Sequence, residues 1–178
     1  MSDAAGKVLI ERVEELRRAF DHSFAAPAGA EMRQTVDFIS LRLAGDVHAV
    51  RMSEVGGLFG DVKVTPCPSP VAELRGIAGF RGALTPVYDL AQLLGYPRAP
   101  ARWMVLAANR SLALAFETFE GHFRVEPEAI AASEAETTRR FTHQIAQGPN
   151  GGWPIIDIPS VVAAISSRAT TSTSHKEQ

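Results

Sequence analysis

The sequence lacks the features that mark several large classes of protein. It has a single cysteine, Cys67, so an internal disulfide is impossible and a thiol-reducing compartment is expected. No apolar run approaches the roughly 20 residues that a membrane-spanning helix needs. The formal net charge of -2 gives no basic excess for nucleic acid. We therefore expect a soluble, cytoplasmic protein that has no nucleic-acid partner and no direct membrane insertion.

Residue sets that carry catalysis or hold cofactors are missing as well. The sequence has no phosphate loop ending in Gly-Lys-Ser/Thr, no Gly-x-Ser-x-Gly elbow and no Cys-x-x-Cys. Its histidines are spread along the chain, without metal-ligand spacing to Cys67 or to one another. Cys67 lies among three prolines, which favours a stiff extended connection over a nucleophile. We predict that the protein is not an enzyme, with no catalytic residues, cofactor or metal.

A β-strand pattern occupies residues 35–165, between two different ends. In residues 1–34, apolar residues recur at helical spacing among charged ones: Leu9, Val13, Leu16 and Phe20. This spacing predicts an amphipathic helix and a linker. We favour packing of the helix on its own domain, with a partner helix as the alternative. Residues 166–178 have too little apolar surface to offset ordering entropy, so we predict a disordered tail.

The central region repeats one pattern. Two predicted hairpins begin at Phe38 and Trp103, 65 residues apart. Two strand-to-helix segments, PVYDLAQLL (86–94) and PIIDIPSVV (154–162), lie 68 residues apart. The similar offsets indicate tandem duplication of a small β unit. Each unit has few residues to bury, so we predict a mainly β fold of two small barrels packed side by side, about 35–95 and 101–165.

Both strand-to-helix segments contain an aspartate where the helix begins. Asp89 and Asp157 suit helix N-caps, because a carboxylate accepts hydrogen bonds from the free N–H groups of a first turn. Gln92, three residues after Asp89, completes a predicted capping box. We therefore assign the two aspartates as structural caps and not as a catalytic pair. The apolar Ile77 and Leu84 are expected on strands that are covered on both faces.

Arg81 stands at a glycine-flanked turn, between Gly79-Phe80 and Gly82. A guanidinium raised on a turn can form bidentate hydrogen bonds with a carboxylate or with carbonyls of another protein. Arginine is enriched among residues that anchor interfaces, and Phe80 beside it would add apolar area. We predict that this turn serves docking and not catalysis. The alternative is that Arg81 is a solvated turn residue.

Four segments resemble the CheW-like domain family. LRGIAGFRGALTPVYDLAQLLG (74–95) is similar to the family's hallmark, with Arg81-Gly82 and the Pro-x-x-Asp-Leu of 86–90 at matching places. FISLRLAGDVHAVRMSEV (38–55) resembles its opening hairpin and ends at the apolar Val55. The remaining two resemble its second-half strand and its closing strand and helix: ALAFETFEGHFRVEPEAI (113–130) and WPIIDIPSVVAAI (153–165).

The resemblance implies two five-stranded barrels around a shared core. It also implies a non-enzymatic adaptor that couples the cytoplasmic tip of a chemoreceptor to the regulatory domain of a CheA-type histidine kinase, in chemotaxis-like signal transduction. The docking surface would then include Val55, Gly76, Phe80, Arg81 and Gly82. The alternative is a regulatory module that senses a small molecule between the barrels and does not bind receptors.

Two positions depart from the family pattern. Gly79-Phe80 stands where the family has Asn-Leu before Arg-Gly, and Gly57 occupies a place that is commonly acidic. Because glycine adds backbone freedom, the pair Gly56-Gly57 is expected to loosen its segment. The departure at Gly57 concerns the segment that the resemblance implies for receptor contact.

Overall fold

The computed structural model describes residues 34–133, 139–148 and 151–174. Within these ranges the chain is mainly β, as the sequence predicts. The helix predicted in residues 1–34 lies outside the described residues, apart from position 34. The strands are β1 (Val36–Leu43), β2 (Asp46–Arg51), β3 (Val55–Gly60), β4 (Leu74–Phe80), β5 (Ala83–Asp89), β6 (Trp103–Ala107), β7 (Ala113–Phe116), β8 (Thr118–Val125), β9 (Ile130–Ala132), β10 (Gln144–Gly148) and β11 (Gly151–Ile156).

Helical structure follows two of the strands. Helix α1 (Leu90–Leu93) comes directly after β5, and helix α2 (Ile158–Ser174) follows β11. Short 3-10 helices at Met52–Glu54 and Pro127–Ala129 precede β3 and β9. Each strand-to-helix segment of the predicted repeat therefore has the expected local structure.

The strands form two sheets, in the orders β8-β1-β2-β11-β10-β9 and β3-β6-β7-β5-β4. Each sheet takes strands from both halves of the chain. The first hairpin, β1–β2, lies between strands of the second half, and the hairpin β6–β7 lies between strands of the first. The contiguous subdomains predicted at 35–95 and 101–165 therefore do not coincide with the sheets. The strand β9 also gives one sheet six strands instead of five.

The reason for this exchange is the pairing of the strands that lead into the helices. The strand β5 pairs in parallel with β7, and β11 pairs in parallel with β2. Each is thus joined to the second strand of the other half's hairpin. The largest buried cluster contains residues of both sheets, such as Leu41 and Ile156 in one and Val105 and Leu114 in the other. This shared core agrees with the duplication that the sequence indicates.

The five-stranded sheet also curls on itself. The strands β3 and β4 stand at opposite ends of its order, yet the rings of Phe59 and Phe80 meet edge to face with centroids 4.9 Å apart. A smaller buried cluster, including Val87 and Met104, lies inside the curl. Each sheet therefore buries apolar residues of its own in addition to those of the shared cluster.

Both predicted caps have the expected geometry. Asp89 Oδ1 accepts a hydrogen bond from the Gln92 N–H at 3.1 Å, and Asp157 Oδ1 accepts one from the Ser160 N–H at 3.1 Å. The capping box is wrong, however. The Asp89 N–H donates to the Glu73 carbonyl at 2.7 Å, because Asp89 still belongs to β5 and its backbone is already used. Gln92 Oε1 is buried and has no hydrogen-bond partner among the described residues.

The tail also differs from the prediction, because α2 continues through Ser174. Ile165 is buried on the domain, and Arg168 Nη1 forms an ion pair with Glu73 Oε1 at 3.0 Å. Arg168 and Glu73 are 95 residues apart along the chain. Such non-local contacts cannot be read from the low apolar content of residues 166–178.

Gly76 is fixed by its backbone. It has φ +142° beside a register shift in β4, where the N–H and carbonyl of Ile77 bond to Thr65 at 2.9 and 2.8 Å. A Cβ on Gly76 would lie 2.1 Å from the Thr65 carbonyl oxygen. Glycine is therefore required here for packing, in a β-bulge.

We expect Gly76→Ala to lower the free energy of unfolding by about 2–4 kcal/mol, since both its φ and the space around it exclude a Cβ. Gly79→Ala in the same strand is the matched control, because no atom lies within 4 Å of its added Cβ. Urea denaturation of the two variants measures the difference. Equal stabilities would contradict this account of Gly76.

Candidate functional site

The hairpin β4–β5 ends in a two-residue turn. Arg81 has φ 50° and Gly82 has φ 87°, the positive values of a type I′ turn. Both residues are exposed, and a Cβ on Gly82 would meet nothing within 4 Å. The Arg81 side chain forms no hydrogen bond or ion pair with the described part of the chain. The turn therefore presents a free cation at the end of a defined β ribbon.

The outer face of this hairpin is apolar. Leu84 is 79% exposed and Ile77 is 37% exposed, and they face Gly79 and Pro86 across the ribbon. The expectation that Ile77 and Leu84 are covered on both faces is wrong. The two-residue period of a strand carries the missing signal, since Ala78 and Phe80 occupy the inward positions and Ile77 and Gly79 the outward ones.

Two of the predicted docking residues are inside the domain. Phe80 is only 3% exposed and packs on Phe59, so it supplies no exposed apolar area beside Arg81. Gly76 is buried in the bulge against Thr65. Of the five predicted residues, Arg81 and Gly82 lie together at the tip, and Val55 lies at a second surface.

That second surface is an open groove of about 990 Å³ between β1, β3 and β8. Its wall is mostly apolar and includes Ile39, Met52, Val55, Leu58 and Phe119. Met52 is 45% exposed. Among the described residues, those of the β4–β5 hairpin do not line the groove.

Charged groups at the rim of the groove are paired with one another. Asp37 Oδ1 lies 2.6 Å from Arg124 Nε and 2.8 Å from His122 Nε2. The hydrogen bond from Arg124, followed by that from His122, lowers the pKa of the Asp37 carboxyl. This end of the groove therefore offers an internally compensated charge cluster beside an apolar wall.

Gly56 and Gly57 hold β3 in place and do not loosen it. The strand has a register shift against β6 between Val55 and Gly57, and a Cβ on Gly56 would lie 2.7 Å from the Ala107 carbonyl oxygen. The ring of Phe59 lies over Gly57, 2.7 Å from where its Cβ would be. Both glycines therefore permit close approach, which is the usual role of glycine in a bulge.

The start of β3 is also tied to α2. Glu54 Oε2 accepts a hydrogen bond from the N–H of Ile158, at the start of α2, at 3.1 Å. The Glu54 carbonyl accepts another from the Ala108 N–H at 2.9 Å. Burial raises the pKa of the Glu54 carboxyl. The groove edge at Met52 and Val55 is therefore anchored from two directions.

A second cavity, of about 430 Å³, contains a polar cluster. His48 is 2% exposed, and its Nε2 lies 3.3 Å from the Tyr96 hydroxyl, which donates to Asp46 Oδ2 at 2.8 Å. The guanidinium of Arg139 lies 3.6 Å from the Tyr96 ring centroid. Burial and Asp46 raise the pKa of Tyr96 to about 12. These groups satisfy one another and hold β2 against the segment after α1.

Burial lowers the pKa of His48 below its ordinary value of 6.5, against the opposing effect of Asp46. The unfolded chain therefore takes up this proton more readily than the folded one. The stability that neutral His48 provides is complete above about pH 6.5 and declines as the pH falls, with a slope of at most about 1.4 kcal/mol per pH unit. We expect His48→Gln to remove this part of the pH dependence, measured by urea denaturation between pH 5 and 8, about the range in which histidine titrates. Parallel curves for the two proteins would contradict it.

The fold and the two surfaces define a class of protein. Residues 37–166 match the CheW-like domain family, and the chain belongs to that family. The resemblance found in the sequence is thereby confirmed. The prediction that the protein is not an enzyme stays a prediction. No helix in the described ranges is both long enough and apolar enough to cross a bilayer.

Two relatives extend this assignment. The chain is 33% identical over 76 residues to Protein PilI of Pseudomonas aeruginosa, and the match covers 43% of each chain. The crystal structure of the scaffolding protein TtCheW from Thermoanaerobacter tengcongensis has a TM-score of 0.63 and 19% identity, covering 70% of this chain and 90% of that one. The matched segment thus spans less than half of Protein PilI, and the likeness to TtCheW concerns the fold.

Proposed function

We propose that the protein is a cytoplasmic, non-enzymatic adaptor that couples chemoreceptors to a CheA-type histidine kinase in chemotaxis-like signalling. The observation that carries the proposal is the presence of two separate surfaces with exposed apolar residues, the groove and the β4–β5 hairpin, on one CheW-like domain. An adaptor has to hold two different proteins at once, and a single surface cannot do so. The likeness to a protein described as a scaffold supports the same function.

The groove is the surface for the chemoreceptor tip. Its apolar wall contains Val55, which the sequence assigned to docking, and the exposed Met52 stands at its edge. An apolar groove suits the apolar face of a helix, which inserts residues at helical spacing. Because β3 is anchored through Glu54 and Gly56, the groove is formed before a partner binds.

The β4–β5 hairpin is the surface for the regulatory domain of the kinase. Arg81 offers a free guanidinium to a carboxylate, and Leu84 offers apolar area next to it. Because the hairpin and the groove are different surfaces, one domain can hold the kinase and the receptor at the same time.

We expect Arg81→Glu to weaken binding of the kinase regulatory domain at least about tenfold, because it replaces the cation of a charge-assisted contact with an anion. Arg110→Glu is the matched control, since Arg110 is also exposed at a hairpin turn with φ 56°. Calorimetric titration measures the affinities and thermal melting checks the fold. Equal affinities for the two folded variants would rule out the tip as the kinase surface.

A crossed experiment separates the two surfaces. Met52→Glu places a charge at the groove edge and Leu84→Glu places one on the hairpin, both at exposed positions. We expect the first to weaken only receptor binding and the second only kinase binding, each at least about tenfold, since a charge facing an apolar contact stays unpaired. If either variant weakened both interactions equally in a folded protein, the assignment of separate surfaces would be wrong.

A further inference from the structure

The backbone N–H and carbonyl of Gly79, in β4, point away from β5. Phe80 and Ala83 flank a two-residue turn, so they exchange hydrogen bonds across the ribbon, and the next pair, Gly79 and Leu84, does not. The N–H and carbonyl of Gly79 therefore face outward, at the edge of the sheet. Ile77, two residues earlier, points to the same side and bonds there to Thr65.

The register supports this assignment independently. Ile77 stands opposite Pro86, which has no N–H to donate, so a non-bonded pair at that place leaves no polar group unsatisfied. Bonded and non-bonded pairs alternate in an antiparallel ladder. Ile77 and Gly79 are thus both non-bonded with respect to β5 and both face the outer side, where Ile77 is bonded to Thr65.

The outer side of β4 is covered only at Ile77 within the described part of the chain, through the single bridge to Thr65. The corresponding strand of the other half, β10, is covered by β9 over three residue pairs. No described backbone group outside the ribbon bonds to Gly79, and no atom lies within 4 Å of its Cβ direction. The edge at Gly79 is therefore open where its counterpart is largely closed.

The side chains around this edge indicate what can pair with it. Gly79 presents its backbone N–H and carbonyl at the edge, and Leu84 opposite it is 79% exposed. Arg81, two residues beyond, has a cation with no partner in the described ranges. An extended segment that brings an apolar side chain to Leu84 and a carboxylate to Arg81 complements all three features.

We propose that β4 is a site of strand addition, at which an extended segment of the kinase regulatory domain pairs with Gly79. The proposal rests on the proposed function, and it specifies how the hairpin binds. Unprotected strand edges readily accept another strand, and main-chain hydrogen bonds then provide affinity while side chains provide selectivity. Arg81 and Leu84 select the segment, and Gly79 supplies the backbone bonds.

Hydrogen exchange tests the pairing directly. The probe is the purified regulatory domain of the CheA-type kinase from the same organism, added to the full chain, with exchange followed by NMR. We expect exchange of the Gly79 amide to slow at least about tenfold in the complex, because the amide becomes hydrogen-bonded. The Ile77 amide, already bonded to Thr65, is the internal reference and should change little.

Two variants at one position complete the test. Gly79→Pro removes the outward N–H, at an edge position where proline is compatible with a strand, and should weaken binding at least about tenfold. Gly79→Ala keeps the N–H and should bind within about twofold of the natural chain. If Gly79→Pro proves unfolded, the exchange of the Gly79 amide decides alone.

The outcomes separate the two proposals. A complex that forms with an unprotected Gly79 amide, or a folded Gly79→Pro that binds normally, would overturn strand addition and leave the adaptor function intact. If the natural chain forms no complex with the kinase domain, the proposed function fails first, and strand addition with it. Protection of Gly79 in the concentrated chain alone would identify a second copy as the occupant, against the proposal.

Discussion

The two parallel strand pairs, β5 with β7 and β11 with β2, are the contacts on which the rest of the domain depends. Each joins a strand from one half of the chain to a hairpin from the other. Without them, β4–β5 would be an isolated hairpin, which is marginal in water, and β9, β10 and β11 would separate from β8, β1 and β2. With them, Leu41, Val105, Leu114 and Ile156 enter one buried cluster. The halves are therefore parts of a single cooperative unit.

This arrangement explains where the two proposed docking surfaces lie. Residues between the sheets are committed to the shared core, so they cannot be exposed without unfolding both halves. The tip of the β4–β5 ribbon lies outside that core, and the groove beside β3 opens at its margin, where Ile39 lines the wall. A rigid scaffold that carries binding groups at its margins loses little conformational entropy on association. Stability and the proposed binding thus fall to different residues of the same hairpin, as Phe80 in β4 and Arg81 in the turn illustrate.

The sequence predicts what is local and misses what is distant. The hairpin that begins at Phe38 and the aspartate caps follow from short patterns, and the structure has them. The exchange of hairpins between the two halves has no local signal, because the residues of a strand do not determine which other strand it pairs with. The capping box failed for the same reason, since the Asp89 N–H is taken by Glu73 from another segment. Non-local hydrogen bonds override local propensity.

At the candidate site, the sequence identified the right turn and the wrong neighbours. Proximity to Arg81 suggested that Phe80 is exposed, whereas the alternation of β4 places it inward and leaves Ile77 outward. From the sequence, Gly76 is predicted to be a docking residue and Gly56 to loosen its segment. In the structure, a Cβ at either position would collide with a backbone carbonyl, so glycine is required at both. The role of a glycine depends on what faces it, which the sequence alone does not contain.

Backbone strain does not by itself distinguish the functional turn. Ala44, Asp61, Arg110 and Phe141 also have positive φ, at turns that have no exposed apolar neighbour of the kind found beside Arg81. Within the described part of the chain, what separates the β4–β5 turn is the combination of a cation without a partner, a leucine exposed to solvent and an uncovered strand edge. The exposed leucine and the open edge are unfavourable in an isolated domain, since apolar exposure and open edges favour unwanted association. Their coincidence on one short ribbon is explained most simply by a partner that covers all three at once.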